Sequence, residues 1–260
     1  MIGCNLKGGL CNMMFQIATL EYISKNYNIP ITYPNTDINL RDISNAYGNN
    51  AIEYKNMFKN FHWNNVYMQN QRTKQFPFEY SEEIKIPIED IFYDGFFQSE
   101  KYFNCDKNFV YNLFEPADFI KEKLNSFKKL FKDKTTCSIH VRRGDYLKYP
   151  DIHNTQPIEY YLKGMNIIPV DKYIIFSDDI NWCKNYFIGE QFVFIENEKD
   201  YVELFLMSVC NHNIISNSSF GWWGAYLNQN IEKKVIGPIK WFENNTYNNK
   251  DIIPEAWIQI

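Results

Sequence analysis

Apolar positions change their period along the chain, and each change marks an element. Residues 2–6 read as a short strand, followed by the glycine turn Lys7-Gly8-Gly9-Leu10-Cys11-Asn12. From Met13 onward, Met14, Phe15, Ile17, Ala18, Leu20, Tyr22 and Ile23 recur at helical spacing and predict a helix to about residue 26. A second strand is predicted over 30–33. Strand, turn, helix, strand is the opening of a doubly wound α/β domain. Residues 36–50 are polar and read as loop, 51–61 as helix and 66–68 as strand. The stretch 76–87, with Pro77 and Pro87, reads as irregular. A buried strand over 91–98, a helical turn over 99–103 and an amphipathic helix over 116–132 follow. That last helix ends in lysines, which suit the negative end of a helix dipole.

The second half settles into a β/α rhythm. Strands are predicted over 135–142, 172–176, 192–195, 213–215 and 234–236. Between them lie helices over 157–165 (opened by Pro157, well suited to a first helical turn), around Trp182, and over 201–210 and 220–227. Strands and helices alternating at this spacing imply a parallel sheet, whose ligands gather at the strands' carboxyl ends. The expected fold is therefore α/β, with two Rossmann-like doubly wound halves facing a cleft. The charge cluster Lys132-Asp133-Lys134 places their boundary, giving domains 1–132 and 133–260. The pattern leaves open whether residues 244–260 pack back on the first half.

Length and composition narrow the class. A chain of 260 residues holds one large domain or two smaller ones. With 45% hydrophobic and 18% aromatic residues, it supports a substantial core. A net charge of −4, with no long basic run, argues against a nucleic-acid partner held by charge. Cys4, Cys11, Cys105, Cys137, Cys183 and Cys210 are scattered without a C-x-x-C and read as buried free thiols. No basic leader precedes the first strand, and no apolar run reaches the roughly 18–20 residues of a membrane span. The expectation is a soluble, cytoplasmic protein of unknown oligomeric state.

The candidate chemistry lies at predicted strand ends. The strand over 135–142 runs into Arg142-Arg143-Gly144-Asp145. Alternation puts His140 and Arg142 on one face and Val141 and Arg143 on the other. Planar guanidinium forks pair bidentately with phosphate oxygens, so two arginines here suit a diphosphate. The plainer reading is an Arg–Asp pair closing a loop. Ser216-Asn217-Ser218-Ser219 precedes a helix, which makes it either an ordinary N-cap or an anion site. Asp178-Asp179 fits a divalent-metal site, a helix cap, or carboxylates accepting hydrogen bonds from a base, a sugar or the two arginines. The last reading is favoured, because no Asp-x-Asp is present and arginines already supply positive charge. His140 reads as a structural histidine or a nucleotide contact, and Trp222-Trp223 as core or cleft wall.

Taken in order, several stretches are similar to the motifs of the α-1,2-fucosyltransferases of glycosyltransferase family 11. They are G-G-L-C-N-M-M-F-Q (8–16), G-F-F-Q-S-E-K-Y-F (95–103), H-V-R-R-G-D (140–145), F-S-D-D (176–179) and S-N-S-S-F-G-W-W (216–223). The resemblance runs from about residue 3 to 228, and its H-x-R-R-x-D element is shared with other GDP-fucose-using families. It departs in the first loop, where Cys11 stands for a glycine and Met13 for a glutamine. The resemblance implies a GT-B-like enzyme that moves L-fucose from GDP-β-L-fucose to a galactose 2-hydroxyl, inverting, with no cofactor and no obligatory metal. It implies a donor-binding half over 133–260 in which His140, Arg142, Arg143, Asp178, Asn217, Ser218 and Ser219 hold the nucleotide sugar. Arg142 would stabilise the leaving diphosphate, with Asp145 and Asp178 as candidate bases. Asn12, Gln16 and Gln98 would face the acceptor from the half over 1–132, and the altered loop would change acceptor preference. Two rivals stay open: fucosylation of another glycan or a protein, and a non-catalytic GDP-sugar or glycan-binding module.

Overall fold

The computed structural model describes all residues except 35, 37–39, 42–50, 67, 69–71, 83–88, 104–105 and 245–246. The chain forms two compact units, one of Met1–Ala117 with Lys250–Ile252, the other of Asp118–Asn249 with Ile253–Ile260.

In the first unit, β1 (Ile2–Gly3), β2 (Ile31–Thr32), β3 (Arg72–Gln75) and β4 (Ile91–Asp94) form a parallel sheet in the order β2-β1-β4-β3. Helix α1 (Leu10–Tyr27) starts three residues before the predicted position, because Gly8 turns the chain with φ +79° and Gly9 caps it. Its end is closed by Asn28 at φ 53°, whose N–H returns to Ser24 O. Most of α1 is buried, including Gln16 and Thr19, which blurs its apolar stripe. Two elements of this unit escape the apolar pattern. Strand β3 is a mostly exposed edge of Arg-Thr-Lys-Gln, and α2 (Lys107–Leu113) is short and held by its Asp106 cap, which accepts from Phe109 N. Conversely, the predicted helix near 51–61 is a 3-10 turn at Ala51–Asn56, and residues 66 and 68 are not in a strand; Tyr67 lies outside the described residues. Of the predicted loop over 36–50, residues 36, 40 and 41 are helical and the others lie outside the described residues. Asp251 is tied to this unit by Lys101 Nζ at 2.6 Å.

The second unit begins with α3 (Asp118–Leu130), which buries Ile120 and Leu124. The division therefore falls before this helix, whereas the charge cluster near Lys132 lies after it; α3 packs on α6 (Asp200–Ser208) of the second unit. A six-stranded parallel sheet forms the middle, in the order β10-β9-β8-β5-β6-β7. Its strands are β5 (Thr136–Val141), β6 (Lys172–Ser177), β7 (Phe192–Phe194), β8 (His212–Ile214), β9 (Val235–Gly237) and β10 (Ile258–Gln259). The connecting helices are α4 (Ile158–Ile167), α5 (Ile180–Tyr186), α6 and α7 (Ser219–Tyr226). All six residues of β5 are buried, as a central parallel strand requires. From β5 the chain adds β6 and β7 on one side, then crosses to add β8, β9 and β10 on the other. The order thus reverses between β5 and β8, which is where open α/β sheets bind ligands. Among the described residues, no helix is long and apolar enough to cross a membrane.

The buried Asn213 side chain of this unit is fully paired. The Asn213 amide donates to Ser138 Oγ at 2.7 Å and Met207 O at 2.9 Å, and its oxygen accepts from Asn228 Nδ2 at 2.8 Å. Buried groups left unpaired are costly, at roughly 1–3 kcal/mol each. Asn213→Ala strands three such partners, so urea unfolding should show a loss of about 2–4 kcal/mol. A loss below about 1 kcal/mol would mean that water replaces the amide.

Candidate functional site

The carboxyl ends of β5, β6 and β8 bring the predicted residues together. As β5 ends, Arg142 leaves the sheet with its side chain 26% exposed. Its Nη2 lies 2.8 Å from Asp145 Oδ1, and its Nη1 lies 3.1 Å from Asp178 Oδ2. The Asp145 contact is one of charge, since Oδ1 makes no hydrogen bond. Arg143 points the other way, as strand alternation requires. Its backbone N donates to Asp178 Oδ1 at 2.9 Å, its Nε donates to Asp179 Oδ2 at 3.1 Å, and its guanidinium lies 4.3 Å over the Trp182 ring. Asp179 also caps α5 by accepting from Trp182 N at 3.2 Å. The carboxylate–arginine reading of Asp178-Asp179 and the helix-cap reading are thus both realised, on different oxygens.

Gly144 makes this arrangement possible. A Cβ there would lie 2.6 Å from Asp178 Oδ2. The ion pairs are partly exposed and add little stability. What they do is aim Arg142. A guanidinium has five N–H donors, so a pair of carboxylates leaves some free for a ligand.

On the β8 side, Ser218 caps α7 by accepting from Phe220 N at 3.3 Å, and the half-buried Ser219 opens the helix. Asn217 is turned inward. Its Nδ2 donates to Asn154 O at 2.9 Å and Trp241 O at 2.8 Å, and its Oδ1 accepts from Gln156 Nε2 at 3.3 Å. It ties its own turn to two loops, one at Asn154–Gln156 and one at Trp241, and has no polar side-chain atom to spare. His140 is also a brace. It is 4% exposed, with Nδ1 3.0 Å from Ser216 Oγ, and Gly221 admits its ring. Trp222 and Trp223 are fully buried core.

Tyr146, which the residue pattern did not single out, joins the two sides. Arg142 lies 5.5 Å over its ring, and its hydroxyl donates at 2.8 Å to the backbone O of Asn217, the residue before the α7 cap. Arg142 and the start of α7 therefore meet at one ring. The only signal in the sequence was its place directly after R-R-G-D.

In the first unit, Gln98 Nε2 donates to Asn12 Oδ1 at 2.7 Å, so these two predicted residues sit together. Gln98 is itself buried, and Gln16 meets Asn12 through the backbone, its Nε2 donating to Asn12 O at 3.1 Å. Fully buried, Gln16 accepts from Lys7 N at 3.1 Å and donates to Lys7 O at 2.8 Å, holding the glycine turn in shape. Lys7 forms an ion pair with Asp94. Cys11 occupies the second residue of α1, a backbone any residue adopts, and Met13 is buried in the core. Neither departure from the motif alters an exposed polar group.

Burial, with Arg142 adding to it, pushes the His140 pKa from 6.5 down to about 3. The imidazole is therefore neutral in the folded protein, while the unfolded chain takes up a proton as pH falls through about 6.5. Stability from this group is full above that value and declines by roughly 1.4 kcal/mol per pH unit below it. In urea melts, the margin of the wild type over His140→Gln should shrink at about that rate between pH 6 and 4.5. A constant margin would mean that His140 is solvated or paired with a carboxylate.

Comparison with known proteins gives a consistent outcome. The family model for Glycosyl transferase family 11 matches residues 1–260. An alpha-1,2-colitosyltransferase of Escherichia coli is 30% identical, with 98% of this chain and 97% of that protein aligned. The O-antigen biosynthesis glycosyltransferase WbnK of Escherichia coli is 32% identical over 181 residues, covering 64% of this chain and 59% of that protein. Among solved structures, NodZ alpha-1,6-fucosyltransferase soaked with GDP-fucose superimposes with a TM-score of 0.54 at 10% identity, over 87% of this chain and 92% of that one. That similarity is one of fold: α/β and GT-B-like, with two Rossmann-like units.

Proposed function

Since the chain belongs to glycosyltransferase family 11, we propose that it transfers L-fucose from GDP-β-L-fucose to the 2-hydroxyl of a galactose in a glycan acceptor. The transfer inverts the anomeric centre and needs no metal. The observation that carries this reading is Arg142 at the β5/β8 reversal, aimed by two carboxylates and meeting the start of α7 at Tyr146. As the glycosidic bond breaks, the sugar becomes oxocarbenium-like and negative charge grows on the departing diphosphate. Fixed donors aimed at developing charge are worth roughly 3–4 kcal/mol each. Arg142 and the Ser218–Ser219 helix start are such donors. Arg143 holds Asp178 and Asp179 in place, and His140 and Asn217 support the donor site from within.

Inversion calls for a base on the acceptor hydroxyl. Asp178 meets the arginines with both oxygens, accepting from Arg143 N with Oδ1 and forming an ion pair with Arg142 through Oδ2, whereas Asp145 meets Arg142 through Oδ1. We therefore assign the proton to Asp145. Arginine engagement of Asp178 and Asp179 also supports metal independence, because it occupies the oxygens a cation would need. Asn12 and Gln98 are assigned to the acceptor, with Gln16 shaping their turn.

A second donor deserves testing, because the relative aligned over 97% of its length is an alpha-1,2-colitosyltransferase. Colitose is fucose without its 3-hydroxyl, so the same diphosphate site serves both. Turnover is to be measured with GDP-fucose and GDP-colitose across galactosides, other glycans and a protein acceptor. GDP-fucose with galactosides should give the highest kcat/KM, and excess EDTA should leave it unchanged. Preference for GDP-colitose would move the donor assignment, and GDP binding without any turnover would make the chain a binding module. Arg142→Ala should lower kcat/KM by about 100-fold or more, while circular dichroism shows an intact fold. Near-normal turnover in that variant would overturn the role given to Arg142.

A further inference from the structure

We propose that Tyr146 is a positioning residue for the donor diphosphate: its ring seats Arg142 while its hydroxyl fixes the start of α7, so both halves of the phosphate cradle keep one spacing. The proposal rests on the donor reading above and adds a residue that acts through its neighbours.

Three contacts define the role. The Arg142 guanidinium lies 5.5 Å over the ring, within cation–π range. The His153 ring stacks on the phenol at 4.2 Å with an interplanar angle of 12°, and Phe242 lies 6.0 Å from His153. The phenol thus meets a cation and is packed against a further ring. At its tip, the hydroxyl donates to Asn217 O at 2.8 Å, and the Asn217 side chain is itself locked to Asn154 and Trp241. Ser218, the next residue, caps α7 by accepting from Phe220 N.

The need for such a part follows from the arginine's own bonds. Arg142 is partly exposed and its two carboxylate partners are partly exposed. Ion pairs of that kind leave a long side chain free to change rotamer. A ring beneath the guanidinium removes that freedom. Burial raises the Tyr146 pKa well above its usual value, so the hydroxyl keeps the proton it donates.

Displacing a reacting group by about 1 Å costs on the order of 100-fold in rate. Ground-state binding of GDP, spread over many contacts, is less sensitive than stabilisation of the charge that develops during transfer. The experiment compares wild type, Tyr146→Phe, Tyr146→Leu and Tyr160→Phe. Tyr160 serves as the reference because its buried hydroxyl donates to Ile215 O at 2.6 Å in the same unit, without touching Arg142 or Ser218. Melting temperature, GDP affinity by calorimetry, and kcat and donor KM with GDP-fucose and a galactoside are measured for each. Tyr146→Phe should lower kcat about tenfold or more while the GDP Kd moves less than about threefold. Tyr146→Leu, which also loses the ring, should lose more in both. Tyr160→Phe should lose comparable thermal stability with kcat unchanged. Equal kcat in Tyr146→Phe and Tyr160→Phe, with GDP bound by both, would overturn the proposal alone. A wild type that fails to bind GDP would overturn the donor reading and this inference with it.

Discussion

The carboxylate of Asp178 is the interaction on which the site depends. It joins the ends of two neighbouring strands, accepting from the Arg143 backbone with one oxygen and meeting the Arg142 guanidinium with the other. The join needs Gly144, since any side chain there would push the carboxylate away. Neighbouring parallel strands splay as a sheet twists, so loops that follow them drift apart unless tied. Here the tie is made by the group that also orients the cation. Fixing the loop and aiming the arginine are a single event.

A division of labour follows among residues that look alike in sequence. Arg142 and Arg143 are adjacent, but alternation sends one toward solvent between two carboxylates and the other onto Trp182 and Asp179. Ser218 and Asn217 are adjacent too; one caps α7 and the other is consumed inside by Asn154, Gln156 and Trp241. Such braces keep the exposed donors from relaxing toward one another when no ligand holds them apart.

The second unit was legible because β5, β6, β8 and β9 are mostly buried and stand out as short apolar runs between helices. The position of Arg142, Asp178 and Ser218 at strand ends followed directly. Elements held by something other than apolar burial were not legible. Among the described residues, strand β3 is a polar edge paired to β4 alone; α2 depends on the Asp106 cap, and both residues of β10 are exposed. The inward turn of Asn217 and Gln16 was hidden for a related reason. A polar side chain points inward when its partners come from remote segments, and Trp241 lies 24 residues from Asn217. Tyr146 was overlooked because its importance lies in what its ring and hydroxyl touch. Strand alternation orders side chains within a strand and says nothing about a residue in the turn beyond it.

The pairing of β5 carries a kinetic consequence. Thr136 lies beside Lys172 in β6 and Cys137 beside His212 in β8, so the middle strand has no partner close to it in the chain. Non-local parallel pairing is slow to nucleate, because loops must close before any ladder forms. Until then, six residues destined for the interior face water, and two strand edges stand open to other chains. The architecture that assembles this rim of strand ends from distant segments thus also sets the interval during which a newly made molecule is most exposed to aggregation, and makes chaperones and slow, cool synthesis relevant to its yield.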